Sequence, residues 1–235
     1  MVAVGTLATR IIAGVTVPDT PLINASISLA REALSDRPYN HVMRAWLNGQ
    51  TILNKMPPEK RATVDEEAFA IGAILHDMGW AFDTEYVSDD KRFEVDGANV
   101  ARELVRKQGA NWDKHREQLL WDAVALHTSP DIAAHKELEV ALVSGGTFCE
   151  LAGPEIAKQS WGDLITVTQD EWAAIAAEFP RDGMKDYLID TTVRLCSMKP
   201  ETTYNNFQGD FGEKYLEGYS REGKKIVDLM DAFLP

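Results

Sequence analysis

Cysteine is nearly absent: the 235 residues include only Cys149 and Cys196. They form neither a zinc-ligand spacing nor a disulfide framework, so the expectation is a reducing setting, the cytoplasm. Basic residues are also scarce, with 24 Lys and Arg against 37 Asp and Glu, a net charge of −13. Nucleic-acid backbones are held by clustered Lys and Arg, so no nucleic acid is expected as a partner. The same deficit leaves no basic patch for an anionic membrane. Long apolar runs are missing too. Residues 1–17 are apolar and β-branched, but they are short, interrupted by Arg10, and without the charged start of a secretory signal. There is no internal repeat, low-complexity run or coiled-coil register.

What is present is a hydrophobic content of 45%, ample for one core in a chain of this length. The pattern predicts an extended N-terminal arm over residues 1–20 and one helical domain over 21–235. Pro18-Asp19-Thr20-Pro21 makes the turn into the first helix, residues 22–36. Arg37-Pro38 is read as its break, and a second helix covers 39–55 with His41 in its first turn. Thr63-Val64-Asp65-Glu66 has the form of a capping box, with Thr63 as the cap. Helices are further expected over 93–108, ending at Gly109, and over 112–127. Ser129-Pro130 opens another. A capping box at Thr168-Gln169-Asp170-Glu171 begins a helix ending at Phe179-Pro180, and Asp182 caps one running to Lys199-Pro200. A last helix, 221–233, is expected to pack Ile226, Leu229, Met230 and Phe233. Residues 154–167 and 201–212 are read as non-helical, the latter as a pocket-closing or surface loop.

The chemistry gathers at Ile74-Leu75-His76-Asp77-Met78-Gly79-Trp80. Ala68, Ile71 and Leu75 give helical spacing, and Gly79 follows, so His76 and Asp77 fall in a last helical turn at the core's edge. Adjacent side chains on a helix diverge by about 100°, yet both can reach one ion where the helix ends. Alone, the pair would be a cap or a solvated pair. It is accompanied by His41 upstream, and by His127 and Glu150 downstream. His115 and His135 read as surface histidines.

The order His41, His76-Asp77, His127 and a late acid resembles the HD-domain superfamily of metal-dependent hydrolases, and the local wording is similar to its cyanamide hydratase family. The carrying residues are Asn40-His41-x-x-Arg44, Leu75-His76-Asp77, Phe93-Glu94 with Gly97, and Arg102-Glu103-Leu104. Lys199-Pro200 and Asp210-Phe211 add to them. The likeness spans roughly residues 30–215 and implies an all-α HD-domain helical bundle with the short extended arm attached. It implies His41, His76, Asp77 and Glu150 as metal ligands. Glu150 departs from the aspartate usual at the last position. Many two-metal relatives carry a further histidine near residue 93, and the chain reads Phe93-Glu94-Val95-Asp96-Gly97 there, which implies a single ion. Glu94 then orients a ligand or is a first-turn acid favoured by the helix dipole. His127 takes the pocket-histidine position, and Thr147 either lines the pocket or caps its helix.

Two imidazoles and one or two carboxylates suit Zn²⁺, and also Fe²⁺ or Mn²⁺. A bound divalent ion lowers the pKa of its water from 15.7 towards ~7. The implied reaction is hydration of a small nitrile-type substrate, cyanamide giving urea, with Asp77, His127 and Thr147 as the catalytic set. The rival is an HD phosphohydrolase, for which the basic stretch 91–116 would have to meet phosphate. A two-iron oxygenase lacks its extra histidine, and a metal-free interaction module is a third class. The partner expected is a small molecule, and six tryptophans leave room for an apolar interface between copies.

Overall fold

The structure, a computed structural model, describes residues 7–108 and 111–234. It opens with an antiparallel hairpin, β1 (Thr9–Ile12) and β2 (Val15–Pro18), in which Thr9 pairs with Pro18 and Ile12 with Val15. Ala13 and Gly14 both have positive φ at the turn, the signature of a two-residue turn whose twist matches the strands. The expected arm is therefore extended but folded back on itself, with Val15 and Val17 buried.

All remaining regular structure among the described residues is helical, as the sequence implied. α1 (Pro21–Ala33) starts on Thr20, whose hydroxyl accepts from the Ile23 amide. α2 runs Asp36–Asn54, so Arg37-Pro38 does not separate two helices but lies in the first turn. A proline is tolerated there because first-turn amides lack helical partners anyway. His41 consequently sits in the second turn of α2. After the short α3 (Pro58–Arg61) comes α4 (Glu66–Leu75). Its cap is Asp65, which accepts from the Ala68 amide, while Thr63 donates instead to the Lys60 carbonyl. The expected Thr63 cap is thus displaced by two residues.

Every residue of α4 from Ala68 to Leu75 is buried, the mark of a helix surrounded on all sides. A 3-10 turn, Met78–Trp80, follows directly. α5 (Phe93–Lys107) and α6 (Lys114–Ala125) pack against each other, and both lie on α4. The expected stop at Gly109 lies outside the described residues. α7 (Pro130–Ala133) leads into α8 (Leu138–Ala152). The stretch 154–167, expected to be irregular, is α9 (Pro154–Trp161) with a 3-10 turn. Pro154 at the first position and Gly162 just past the last fit helix ends.

α10 (Gln169–Glu178) carries the capping box predicted at Thr168 and Glu171. α11 (Met184–Met198) begins at Gly183 in the left-handed region, so Asp182 is not its cap. Residues 201–212 are only partly irregular, since α12 occupies Gln208–Tyr215. The last helix is the shorter α13 (Ile226–Phe233). Its apolar face is not packed: Ile226, Leu229, Met230 and Phe233 are all at least half exposed. Periodicity marks an apolar stripe but does not supply a surface to cover it.

The site depends on the crossing of α2 and α8. A Cβ built on Gly146 would meet the Ala45 carbonyl at 2.7 Å and the Gly49 amide nitrogen at 2.9 Å. Only hydrogen at that position lets the two backbones touch. Gly97 does the same between α5 and the end of α4, where a Cβ would lie 2.8 Å from the His76 carbonyl. Gly146→Ala is therefore expected to lower stability by about 1–3 kcal/mol, read from the urea midpoint. An unchanged midpoint would mean that the crossing has slack.

Candidate metal centre

Three histidines reach one point from three helix ends or turns. His41 comes from α2, His76 is the C-cap of α4, and His127 follows the end of α6. In each, Nδ1 faces an acceptor: the Glu150 carboxylate at 2.8 Å for His41, the Ala73 carbonyl at 2.8 Å for His76, and the Val124 carbonyl at 2.6 Å for His127. A carbonyl oxygen can only accept, so the neutral rings of His76 and His127 carry their proton on Nδ1. His41 does likewise when neutral, facing a carboxylate. Every Nε2 is then a bare lone pair.

Those lone pairs converge on Asp77. His41 Nε2 lies 3.2 Å and His76 Nε2 3.3 Å from Asp77 Oδ2, and the two nitrogens are 3.2 Å apart. His127 Nε2 is 3.4 Å from the other oxygen, Oδ1. Neither carboxylate oxygen has a partner in hydrogen-bond geometry among the described residues, although Asp77 is 1% exposed. A buried cluster of acceptors without donors is unfavourable unless a proton on one ring or a cation enters. Zinc bonds of about 2.0–2.1 Å at tetrahedral angles set neighbouring donors about 3.3–3.4 Å apart. The separations among His41, His76 and Asp77 match this, and these three residues form a group able to hold a metal ion.

Glu150 does not join them. Its Oε2 takes the His41 Nδ1 proton, while Oε1 accepts from Arg44 Nε at 2.6 Å. The carboxylate therefore stands behind the His41 ring, on the side away from Asp77. The expected ligand is corrected to a positioning group of the kind that fixes a ring's tautomer and basicity. Arg44 is anchored by the carbonyls of Phe179 and Pro180. Thr147, one turn before Glu150 on α8, is not a cap. It lies mid-helix, buried, with an unpartnered hydroxyl facing the pocket. Glu94 does not touch the cluster: it accepts from Thr128 at 2.7 Å and from Gln208 at 3.1 Å, gripping the residue after His127.

Sequence reasoning missed two contributors, Arg44 and Ser144. Arg44 was part of a motif without a role, although its i,i+3 spacing from His41 puts both on one face of α2. Ser144 donates to the His127 carbonyl at 2.7 Å, a contact with no sequence signal. Phe207, from the segment read as a pocket-closing loop, does line the pocket. His115 and His135 are exposed, as expected.

Charge is tightly arranged. Burial opposes ionisation of Glu150, but His41 and Arg44 outweigh it and bring its pKa down to about 2. Burial likewise opposes a proton on His41, but Glu150 and Asp77 raise it to about 9. Burial pushes His76 the other way, below its ordinary value. Burial works against the charge on Asp77 too, yet the three imidazoles hold it well below the usual carboxylate range. Cys149, next to Glu150, is pushed up to about 12 by burial and by that negative charge. It is therefore a thiol at neutral pH and no nucleophile.

No protein-family model matches the chain, and no curated protein matches it.

Two outcomes are expected. Glu150→Gln keeps the shape but weakens the hold on His41 Nδ1, so zinc affinity measured by chelator competition should fall about 10–100-fold. Unchanged affinity would remove the positioning role. In protein prepared without metal, the raised His41 pKa contributes stability that is full below about 6.5 and lost as pH rises through about 9. The contribution is on the order of 3 kcal/mol. Denaturant titrations across that window should show the decline, and His41→Gln should flatten it.

Proposed function

We propose that the chain is a metal-dependent hydratase of the HD-domain type, adding water to an uncharged nitrile-type substrate, with cyanamide as its simplest form and urea as the product. The observation that carries this reading is the cluster of His41, His76 and Asp77, whose donor atoms lie at metal-ligand spacing and of which His41 and Asp77 line a pocket. The pocket's described lining includes no Lys or Arg. The order of these residues in the chain, with His127 following, is the order that resembles the cyanamide hydratase family.

A divalent ion, zinc by the ligand chemistry, would supply a water activated at neutral pH when bound. The protein's own groups do the rest. Asp77 Oδ2 faces His41 and His76 while Oδ1 faces His127, so one carboxylate would link a held ion to the proton-handling residue. His127 Nε2, a lone pair in the neutral ring, faces the pocket; it can take a proton from the attacking water and return it to the nitrile nitrogen as the carbon–oxygen bond forms. Thr147 lines the same pocket from α8, its hydroxyl buried and without a partner among the described residues. Trp80, stacked 5.9 Å from His41, and Phe93, edge-on to His127 at 5.7 Å, limit the access of other water.

The phosphohydrolase alternative needs cations aimed at the substrate. In the basic stretch, Arg92 pairs with Glu94, Arg106 with Glu117, and Arg116 with Asp65 and Glu67. The surface cleft formed by Arg102, Arg106 and Lys107 does not include the histidines. A metal-free interaction module leaves the buried acceptor cluster without a reason.

Zinc-loaded protein is expected to release urea from cyanamide, and Asp77→Ala to release none while losing its zinc. His127→Gln should retain zinc and lower kcat by about 10²–10⁴, separating the proton donor from the ligands. Full zinc occupancy with no urea would defeat the cyanamide assignment. Turnover by Asp77→Ala would defeat the site.

A further inference from the structure

The cavity in front of the cluster encloses about 260 Å³. Cyanamide would leave most of it empty. The walls are apolar: Trp80, Phe93, Phe148, Leu151, Leu188 and Phe207. They come from separate parts of the chain, namely the 3-10 turn after α4, α5, α8, α11 and the turn before α12. Several belong to a second apolar cluster that also includes Met184, Leu195 and Tyr187.

The polar groups on the lining are mostly committed. Thr128 donates to Glu94, and Ser144 donates to the His127 carbonyl. Thr147 Oγ1 has no partner and lies beyond solvent reach. The polar functions that remain sit together at Asp77 and His127, 3.4 Å apart, and the apolar walls offer only dispersion and hydrophobic contact. Neither an anion nor a cation finds a counter-charge along those walls.

We propose that this pocket takes an uncharged substrate with an apolar body, aromatic or branched aliphatic, of roughly benzonitrile size, with its small polar head at the Asp77 end. This rests on the hydratase reading for the head group, whereas the body is argued from the walls alone. In the balanced step one water adds across the C≡N bond. Its oxygen joins carbon and its two protons end on nitrogen, giving the primary amide with no leaving group and no redox change. Each methylene equivalent moved from water into such walls is worth about fourfold in binding. An aromatic body should therefore gain far more than it loses by being larger than cyanamide.

The test is calorimetric titration of zinc-loaded protein with benzamide, acetamide and benzylammonium, alongside hydration assays on benzonitrile and cyanamide. Benzamide is expected to bind at least thirtyfold more tightly than acetamide and more tightly than benzylammonium. Leu188→Trp, which fills the cavity, should reduce the benzamide-to-acetamide ratio tenfold or more. Equal affinities for the two amides, tighter binding of the cation, or an unchanged ratio in Leu188→Trp would each overturn the proposal, even if cyanamide is hydrated. Tight benzamide binding without hydration of either nitrile would uphold the pocket assignment and remove the nitrile chemistry.

Discussion

The rest of the site follows from one constraint: Asp77 is buried as a carboxylate with no hydrogen-bond donor directed at it. A carboxylate in that position must be neutralised, given donors, or matched by a cation. The surrounding residues remove the second option for as long as the rings are neutral. Ala73, Val124 and Glu150 each occupy an imidazole Nδ1, turning the three Nε2 atoms of the neutral rings into further acceptors. Backbone carbonyls at two helix ends thus do chemical work, because they decide which nitrogen of His76 and His127 is available.

Placing these groups within 3.2–3.4 Å of one another requires helices that approach closely and do not shift. α2 and α8 touch backbone to backbone at Gly146, and α5 presses on the His76 carbonyl at Gly97. Arg44 then ties the same crossing to the segment after α10 through the Phe179 and Pro180 carbonyls. The scaffold that fixes the histidines is therefore a set of contacts with no spare volume, and side chains of one helix hold rings belonging to another. Rigid supports of this kind are what a precise ligand set needs.

The all-α class, most helix positions and the place of His76-Asp77 at a helix end could be read from the sequence, because buried helices announce themselves by apolar spacing and by their end signals. That His41 and His127 join the pair was what the family resemblance implied. What could not be read depends on displacement along an element. Thr147 and Glu150 share a stripe of α8, about 4.5 Å apart along the axis. That one step separates a pocket wall from the back of His41. The family resemblance put Glu150 on the metal, whereas the position of α2 against α8 puts it behind the ring. Pro38 shows a related limit: proline argues for a break, but within a first turn it costs no hydrogen bond. In α13 the stripe was legible, and its burial was not.

The arrangement of charge explains why the walls can be so apolar. Glu150 is balanced by Arg44 outside the pocket, so its charge need not be met by anything in the cavity. Asp77 remains, and its demand is met on the histidine side, by a proton on His41 or by a cation among the Nε2 atoms. The two compete, since a ligating imidazole must surrender that proton. With both carboxylates satisfied from behind, the space in front carries no uncompensated charge. It can be closed by Trp80, Phe93, Phe148 and Phe207 without stranding an ion. An uncharged substrate entering there displaces water from apolar surface and leaves the electrostatic balance of the floor intact. A phosphate ester would have to bring its charge into a cavity where the described lining offers no counter-ion.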